Sequence, residues 1–511
     1  MSGDLPAAPA AQGLAERMVR PSDFREACAE ELARGARFCG AYASTAAGPL
    51  EWTALFAVGQ ATRALRTSAV QGSVPSIVGL VGAAGWDERE AHDLHGLGFA
   101  GHEPLRPLVD HPAAPADWTV PVLGDDPYDI AVGPIHAGVI ESGHFRFHVV
   151  GERILLIDPR LFYKHRGLER AAEGTEPGEG MAFAARACGA CAVANSVAYA
   201  QAAEAALALT APPEARRART VLLELERLYN HLNDISAICA GVGFAPGTMA
   251  FAALKERAMR LNQELTGHRF LFGTVTIGGS SLEVDRSATE RSRGVLADLA
   301  ADTELAWREL CFAASVQARL GGVGRLDPEA AVDLGAVGPS ARASGIRIDT
   351  RTASPGLAYP PDFASAIPEH PTGDVAARLE IRGLELSVTF ELLDSLLTEP
   401  LSSVTLRRSG EGTPERTSPH FVSEGVPSPG APALPTAGSG SPARGIARVE
   451  SPRGETVCTV EIVDDRLARL HLRTASYANW PALARAATGN LLPDFPLINK
   501  SFELCYSCVD R

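Results

Sequence analysis

The stretch MAFAARACGACAVANSVAYAQAAEAALALT, residues 181–210, decides the fold. It is Ala-rich and apolar almost all round, so no face of it suits solvent, and it predicts a helix in the middle of a bundle. Near its start stand Cys188 and Cys191, and the sequence closes with CYSCVDR, residues 505–511, which carries a second pair, Cys505 and Cys508. Two cysteines three apart can bind one metal through both sulfurs, and a helix N-terminus favours thiolate. Four thiolates suit a soft metal. A structural zinc site normally has its pairs about 15–20 residues apart, whereas positions 191 and 505 are 314 apart. A redox CxxC would need only one pair beside a βαβ pattern, which is absent. A metal buried where the first helix of a bundle meets the last residues is a third reading, and unreactive core cysteines are a fourth.

Outward from this stretch, residues 215–242, 248–266, 285–320 and 375–397 repeat apolar residues at three- and four-residue spacing and predict helices. HFRFHVVGERILLIDPR (144–160) alternates around Gly151-Glu152 and predicts a β-hairpin. TVCTVEIVDDRLARLHLRT (456–474) predicts a second, turning at Asp464-Asp465. Residues 22–46 read as one or two amphipathic helices, 50–83 as short apolar runs with turns, and 104–115 as an extended Pro-rich linker. Residues 408–445 are rich in Pro, Gly and Ser and read as a disordered insertion. The expected class is α+β, mainly an α-helical bundle core with peripheral β-hairpins, preceded by a small α/β N-terminal domain. The expected domains are 1–118, then 119–407 with 446–511, interrupted by 408–445. No candidate ligand lies in 1–118, which should therefore be removable without loss of a metal.

The chain has 511 residues, 46% hydrophobic and 21% charged, which fits a globular protein of about three domains. Its net charge of −14 argues against nucleic-acid binding, which needs a basic surface. The basic residues are nearly all Arg, with lysine only at Lys164, Lys255 and Lys500, a mark of genome composition. The most apolar segment, 187–209, is interrupted by Asn195, Gln201 and Glu204 and suits a buried helix better than a membrane span. The first residues lack the apolar core of a signal peptide. Nine cysteines without a signal suggest a reducing compartment. Gly241-Val-Gly243-Phe-Ala-Pro-Gly247 follows a helix, not a strand, and is rejected as a nucleotide fingerprint.

The text around the cysteines resembles one family. GPIHAGVIESGHFRFHVVGERILLIDPRLFYKHRGLER (133–170), LERLYNHLNDISAI (225–238), VGPSARASGIRIDTR (337–351), SPRGE (451–455) and the run from Thr474 to Arg511 resemble the nickel–iron hydrogenase large subunit of the energy-conserving, membrane-associated group. That group includes the formate hydrogenlyase large subunit and hydrogenase-4 component G, and is related to the D-type subunit of NADH-quinone oxidoreductase. WDEREAHDLHGLGFAGHEPLR (86–106) resembles the signature of the C-type subunit of that same enzyme.

The resemblance implies that Cys188, Cys191, Cys505 and Cys508 hold nickel, and that Cys191 and Cys508 bridge to an iron carrying carbon monoxide and cyanide. It implies a catalytic set of Arg453, above the metals, Cys505, and Glu141, which relays protons. It implies that Glu169 contributes to a magnesium or iron site near the end of the sequence. The substrate would be hydrogen and protons. Outside the four cysteines no cluster remains for an iron–sulfur centre, so electrons would leave through an iron–sulfur small subunit. Integral-membrane subunits would hold the complex at the cytoplasmic side of the plasma membrane. The alternative is a D-type component of an NADH/quinone oxidoreductase, with the quinone and NAD binding of such a complex. Two departures stand out: Glu503-Leu504 replaces the usual Asp-Pro, and Ala190 replaces the usual Ile. The sequence stops at Arg511 without the extension that many large subunits lose on maturation, so that extension has been removed or never existed.

Overall fold

A computed structural model describes residues 14–109, 120, 122, 126–136, 141–354, 356–404 and 440–511. The first unit contains β1 (Ala15–Met18), α1 (Pro21–Ala33), β2 (Arg37–Ser44), β3 (Glu51–Val58), β4 (Ala61–Ser68), β5 (Ser73–Pro75), α2 (Ala84–His95) and β6 (Gly98–Ala100). Its main sheet has the order β1-β4-β3-β2, with β1 parallel to β4 and the other pairs antiparallel. The helix expected over 22–46 ends at Ala33, and 37–44 is a strand. Its burial explains the change, because Phe38 through Ser44 are all buried, on both faces of the sheet. Phe24, Trp52, Phe56, Ile77 and Phe99 form this unit's own core.

The expected linker divides in two. Residues 110–115 lie outside the described residues, but 104–109 are fastened to α2. Arg89 donates to the carbonyls of Arg106 and Pro107, both at 2.7 Å, and Asp93 accepts from the amides of Leu108 and Val109, both at 2.7 Å. Leu108 and Val109 are buried in the larger core that follows.

The second part begins with a three-stranded sheet, β7 (Tyr128–Val132), β8 (His144–Val150) and β9 (Arg153–Arg160), so the first expected hairpin gains a strand. Then come α3 (Leu168–Ala172), α4 (Pro177–Arg186), α5 (Ala192–Ala206), α6 (Pro213–Gly241), α7 (Ala245–Thr266), the two-residue strands β10 (Val275–Thr276) and β11 (Gly279–Ser280), α8 (Arg286–Phe312) and α9 (Ala314–Leu320). The short helices α10 (Pro328–Asp333) and α11 (Gly338–Ala343) lead to α12 (Val375–Leu396). The 29-residue α6 is about 44 Å long at 1.5 Å per residue. The expected helix over 285–320 breaks at Ala313, where Gln317 donates its side-chain amide to the Leu310 carbonyl.

Much of the expected insertion, through residue 439, lies outside the described residues. From Ala443 the chain is strand: β12 (Ala443–Ser451), β13 (Gly454–Val463) and β14 (Arg466–Arg473) form one antiparallel sheet. Asp464 and Asp465 both have positive φ, as the predicted two-residue turn requires. This hairpin is not peripheral. Nine of the ten residues of β13 are buried, with α5 packed on the sheet and the first unit's β2 and β3 meeting it through Tyr42, Leu55, Ile446 and Val457. Helices α13 (Ala475–Ala487) and α14 (Phe495–Phe502) end the chain. Among the described residues no helix is long and apolar enough to cross a membrane.

Helix α5 approaches β12 most tightly at Gly445, where an added Cβ would run into the Ala202 carbonyl and the Ala206 amide, both rigid backbone. Gly445→Ala is expected to destabilise by about 1–3 kcal/mol, as overpacking does. Gly294→Ala, on exposed α8 with open space around it, is expected to be neutral or slightly stabilising. Thermal unfolding of the two variants side by side checks this.

Candidate metal centre

The expected continuous helix over 181–210 is interrupted at residues 187–191, between α4 and α5. The interruption has a physical cause: side chains capture its carbonyls. Arg166 donates to the carbonyls of Arg186 (2.9 Å) and Ala187 (2.8 Å), Tyr229 to those of Gly189 and Ala190 (both 3.3 Å), and Asn230 to Ala190 (2.8 Å). Beyond the break, buried Glu226 accepts from the amides of Val193 (2.6 Å) and Ala194 (3.0 Å), the orphan donors of α5's first turn. Burial pushes the Glu226 carboxyl up to about 8. Cys188 and Cys191 are thereby fixed in a tight loop at the head of α5.

The second pair sits just past α14. Glu503 ends that helix in the left-handed region at φ 48°. The Cys505 amide donates to Ser476 Oγ (3.0 Å), the Ser507 amide to Glu141 Oε2 (2.7 Å), and Thr474 Oγ1 to the Cys508 carbonyl (3.0 Å). The sulfurs of Cys188, Cys191, Cys505 and Cys508 all lie within 4.8 Å of one another. Three of these cysteines are buried and Cys505 is half-buried. Hydrogen bonds from Cys191, Cys505 and Cys508 hold the Cys188 thiol well below its usual range, while bonding to Cys188 pushes Cys191 and Cys508 up. Four thiolates can coexist there only against a bound cation, and that donor set fits a soft metal.

Arg453 stands on the turn between β12 and β13, with its side chain buried. It donates from Nη1 to Asp234 Oδ2 (2.8 Å) and from Nε to the Glu503 carbonyl (2.5 Å). Burial works against its charge, but Asp234, then Cys505 and Cys191, hold it protonated. Arg382 also donates to Asp234, at 2.9 Å, and burial pushes Glu503 up to about 7. The turn can sit here because Gly454 (φ 125°) meets Gly338 (φ 65°) backbone to backbone. A Cβ on Gly454 would lie 2.6 Å from the Gly338 nitrogen.

The structure thus joins Cys188, Cys191, Cys505, Cys508 and Arg453, and sets Glu141, exposed, against the loop between the last two cysteines. Glu169 lies apart from them, accepting from the Leu472 amide and from Arg511. The segment 225–238 carries family resemblance, but no residue in it had an expected role. Glu226, Asn230 and Asp234 stand at i, i+4 and i+8 on one stripe of α6, and that polar spacing in a buried helix was the available signal. Arg166 and Ser476 gave no such sign.

Glu226→Ala would strand two buried amides, at about 1–3 kcal/mol each. The variant is expected to lose more than about half of its bound metal, and Glu226→Gln, whose amide oxygen still accepts, to keep most of it. Elemental analysis per chain, with circular dichroism as the check on folding, measures this.

Family models place the chain. Residues 242–511 match the respiratory-chain NADH dehydrogenase 49 Kd subunit, 40–129 the 30 Kd subunit of the same enzyme, and 166–258 a nickel-dependent hydrogenase. The chain is 32% identical to formate hydrogenlyase subunit 5 of Escherichia coli (strain K12), over 86% of this chain and 77% of that protein. It is 32% identical to hydrogenase-4 component G of the same organism, over 86% and 76%. Identity to the carbon monoxide-induced hydrogenase of Rhodospirillum rubrum is 28%, over 75% and 99%. A chain in the structure of the membrane-bound sulfane sulfur reductase, an archaeal respiratory membrane complex, superposes with a TM-score of 0.64 at 25% identity, over 76% of this chain and 99% of that one. With both cysteine pairs assembled in one buried cluster, the chain belongs to the family that unites nickel-dependent hydrogenase large subunits with the 49 Kd subunits of respiratory NADH dehydrogenases, and it is an oxidoreductase of the hydrogenase branch.

Proposed function

We propose that this chain is the catalytic large subunit of a membrane-associated nickel–iron hydrogenase, interconverting hydrogen with protons and electrons. The observation that carries this reading is the meeting of four sulfurs, drawn from both ends of the second part, beside a buried arginine. Cys188, Cys191, Cys505 and Cys508 would hold a nickel–iron centre whose iron carries carbon monoxide and cyanide. When bound, such a centre supplies an open coordination position and the redox change that splitting hydrogen into two protons and two electrons requires.

The chain's own residues do the rest. Cys505, the least buried of the four, is the thiolate that takes the proton at its sulfur. Glu141, exposed and held by the Ser507 amide, passes it from its carboxylate to solvent. Arg453 is fixed at two of its nitrogens by Asp234 and the Glu503 carbonyl, so its charge faces the sulfurs without reorganising. Electrons leave through an iron–sulfur small subunit. Integral-membrane partners anchor the complex at the cytoplasmic face of the plasma membrane, in keeping with the relatives' place in membrane complexes. The division into two units is part of this reading, supported by two separate cores, with Leu108 and Val109 already in the second and the expected insertion ending before β12 begins at Ala443.

The match over residues 242–511 favours one other role, a quinone-linked NADH dehydrogenase component without hydrogenase activity. Metal analysis with infrared spectroscopy separates the two. About one nickel per chain, with bands from metal-bound carbon monoxide and cyanide, is expected, and nickel-free protein would leave the second role. Cys508→Ser should lose the nickel and all hydrogen activity, because serine is a harder ligand with a much higher pKa, whereas Cys311→Ser on the exposed face of α8 should retain both.

A further expected outcome concerns Arg453→Lys. Lysine keeps the charge but cannot serve Asp234 and the Glu503 carbonyl together in one planar fork. Nickel content should stay unchanged while hydrogen turnover drops at least about tenfold, a barrier increase of about 1.4 kcal/mol. Unchanged turnover would remove Arg453 from the mechanism.

A further inference from the structure

The resemblance implies a magnesium or iron ion at Glu169, and the residues present do not fit one. Glu90 on α2, Glu169 on α3 and His471 on β14 have ligand atoms within 4.8 Å of one another, all buried. Yet both oxygens of Glu169 already face N–H donors. Oε1 accepts from the Leu472 amide (2.8 Å) and from Arg511 Nε (2.7 Å), and Oε2 faces Arg469 Nη2 (3.3 Å) and His471 Nδ1 (3.4 Å). Arg511 Nη2 donates to Glu90 Oε1 at 2.7 Å. Only Glu90 Oε2 and His471 Nε2 are left without a hydrogen-bond partner, and the cavity that these two residues help to line measures about 10 Å³, room for about one water. A magnesium ion needs close to six oxygen ligands in octahedral geometry, and two remaining atoms do not make that site.

The charges agree. Asp87, Glu90, Glu169 and the partly exposed Glu173 face Arg469, Arg473 and Arg511. Glu173 also pairs with the exposed Arg170 at 3.2 Å, so four carboxylates meet four guanidiniums, and a dication added there would leave an uncompensated charge. The guanidinium of Arg511 is also held over the Tyr477 ring, 4.7 Å from its centre.

We propose that the Arg511 guanidinium is the resident cation of the Glu90–Glu169–His471 cluster, in place of a divalent metal, and that it is a positioning residue which ties the Cys505–Cys508 loop to the N-terminal unit. Its neighbour Asp510 fastens the same loop within the second part, accepting from the amides of Phe162 (2.7 Å) and Lys164 (3.1 Å). This tie tells against treating residues 1–118 as a free appendage, because they supply Glu90. The inference stands on ion pairs alone and does not depend on what the four cysteines hold.

The test uses Mn²⁺ as the probe, titrated into the purified complex after dialysis against a chelator and followed by electron paramagnetic resonance. Wild-type protein is expected to show no stoichiometric Mn²⁺ site that Glu169→Gln abolishes. Arg511→Ala, which frees Glu90 and Glu169, is expected to gain one saturable Mn²⁺ site per chain, lost again in the Arg511→Ala, Glu169→Gln double variant, and to unfold at a lower temperature. Arg511→Lys should gain no site. A wild-type Mn²⁺ or Mg²⁺ ion removed by Glu169→Gln would overturn the proposal. So would an Arg511→Ala complex with neither a new site nor a lowered unfolding temperature. Should Arg511→Ala fail to accumulate, the wild-type titration decides alone.

Discussion

Four sulfurs from segments more than 300 residues apart must stand within 4.8 Å of one another, and much of the architecture answers to that constraint. A thiol pair at a helix start is held only if the chain there stops being helix, and the carbonyls freed at 187–190 must then find other donors. They find them on α6 and on Arg166, and α5's open amides find Glu226. The long helix α6 is therefore a rigid rail whose polar stripe fixes the first cysteine pair at one level and Arg453, through Asp234, at the next.

A second set of buried charges surrounds this rail. Glu385 accepts from His231 (2.6 Å) and Arg351 (3.1 Å) and pairs with Arg342, while Glu224 pairs with Arg227 and takes the Tyr359 hydroxyl at 2.8 Å. Removing one partner of such a group is far costlier than the group's net contribution, because the other charge is left buried. Burial opposes the charge of Glu385, yet Arg342 and then Arg351 hold it well below the usual carboxylate range. The network specifies which helix meets which, and it explains why segments 225–238 and 337–351 are rich in ionisable residues although they lie inside the protein.

The same logic operates between the two units. Arg37 with Glu455, Arg473 with Asp87, Arg448 with Glu455, and Tyr42 and Ser44 with Glu461 cross or line the contact between the first sheet and β12–β14. Glu455 is held down to about 2, burial being outweighed by Arg37 and Arg448. These ion pairs flank the apolar contact of Tyr42, Leu55, Ile446 and Val457 and restrict how the two sheets can meet.

The sequence by itself determined α6, α7, most of α8, α12, both hairpin turns and the α+β class, because these depend on local periodicity and turn residues. It marked the two cysteine pairs as candidates, and their role as one ligand set came from the family resemblance. The family resemblance of SPRGE and of the segment around residue 141 put forward Arg453 and Glu141 as candidates. Only the tertiary structure decided that 37–44 is strand, since its apolar run is buried on both faces and local pattern cannot tell that from a buried helix. Only it decided that 181–210 breaks at the cysteines, because the donors that capture those carbonyls sit at 166, 229 and 230. And only it showed Arg511 between Glu90 and Glu169, since an ion pair between residues 421 positions apart leaves no trace in either segment's local sequence.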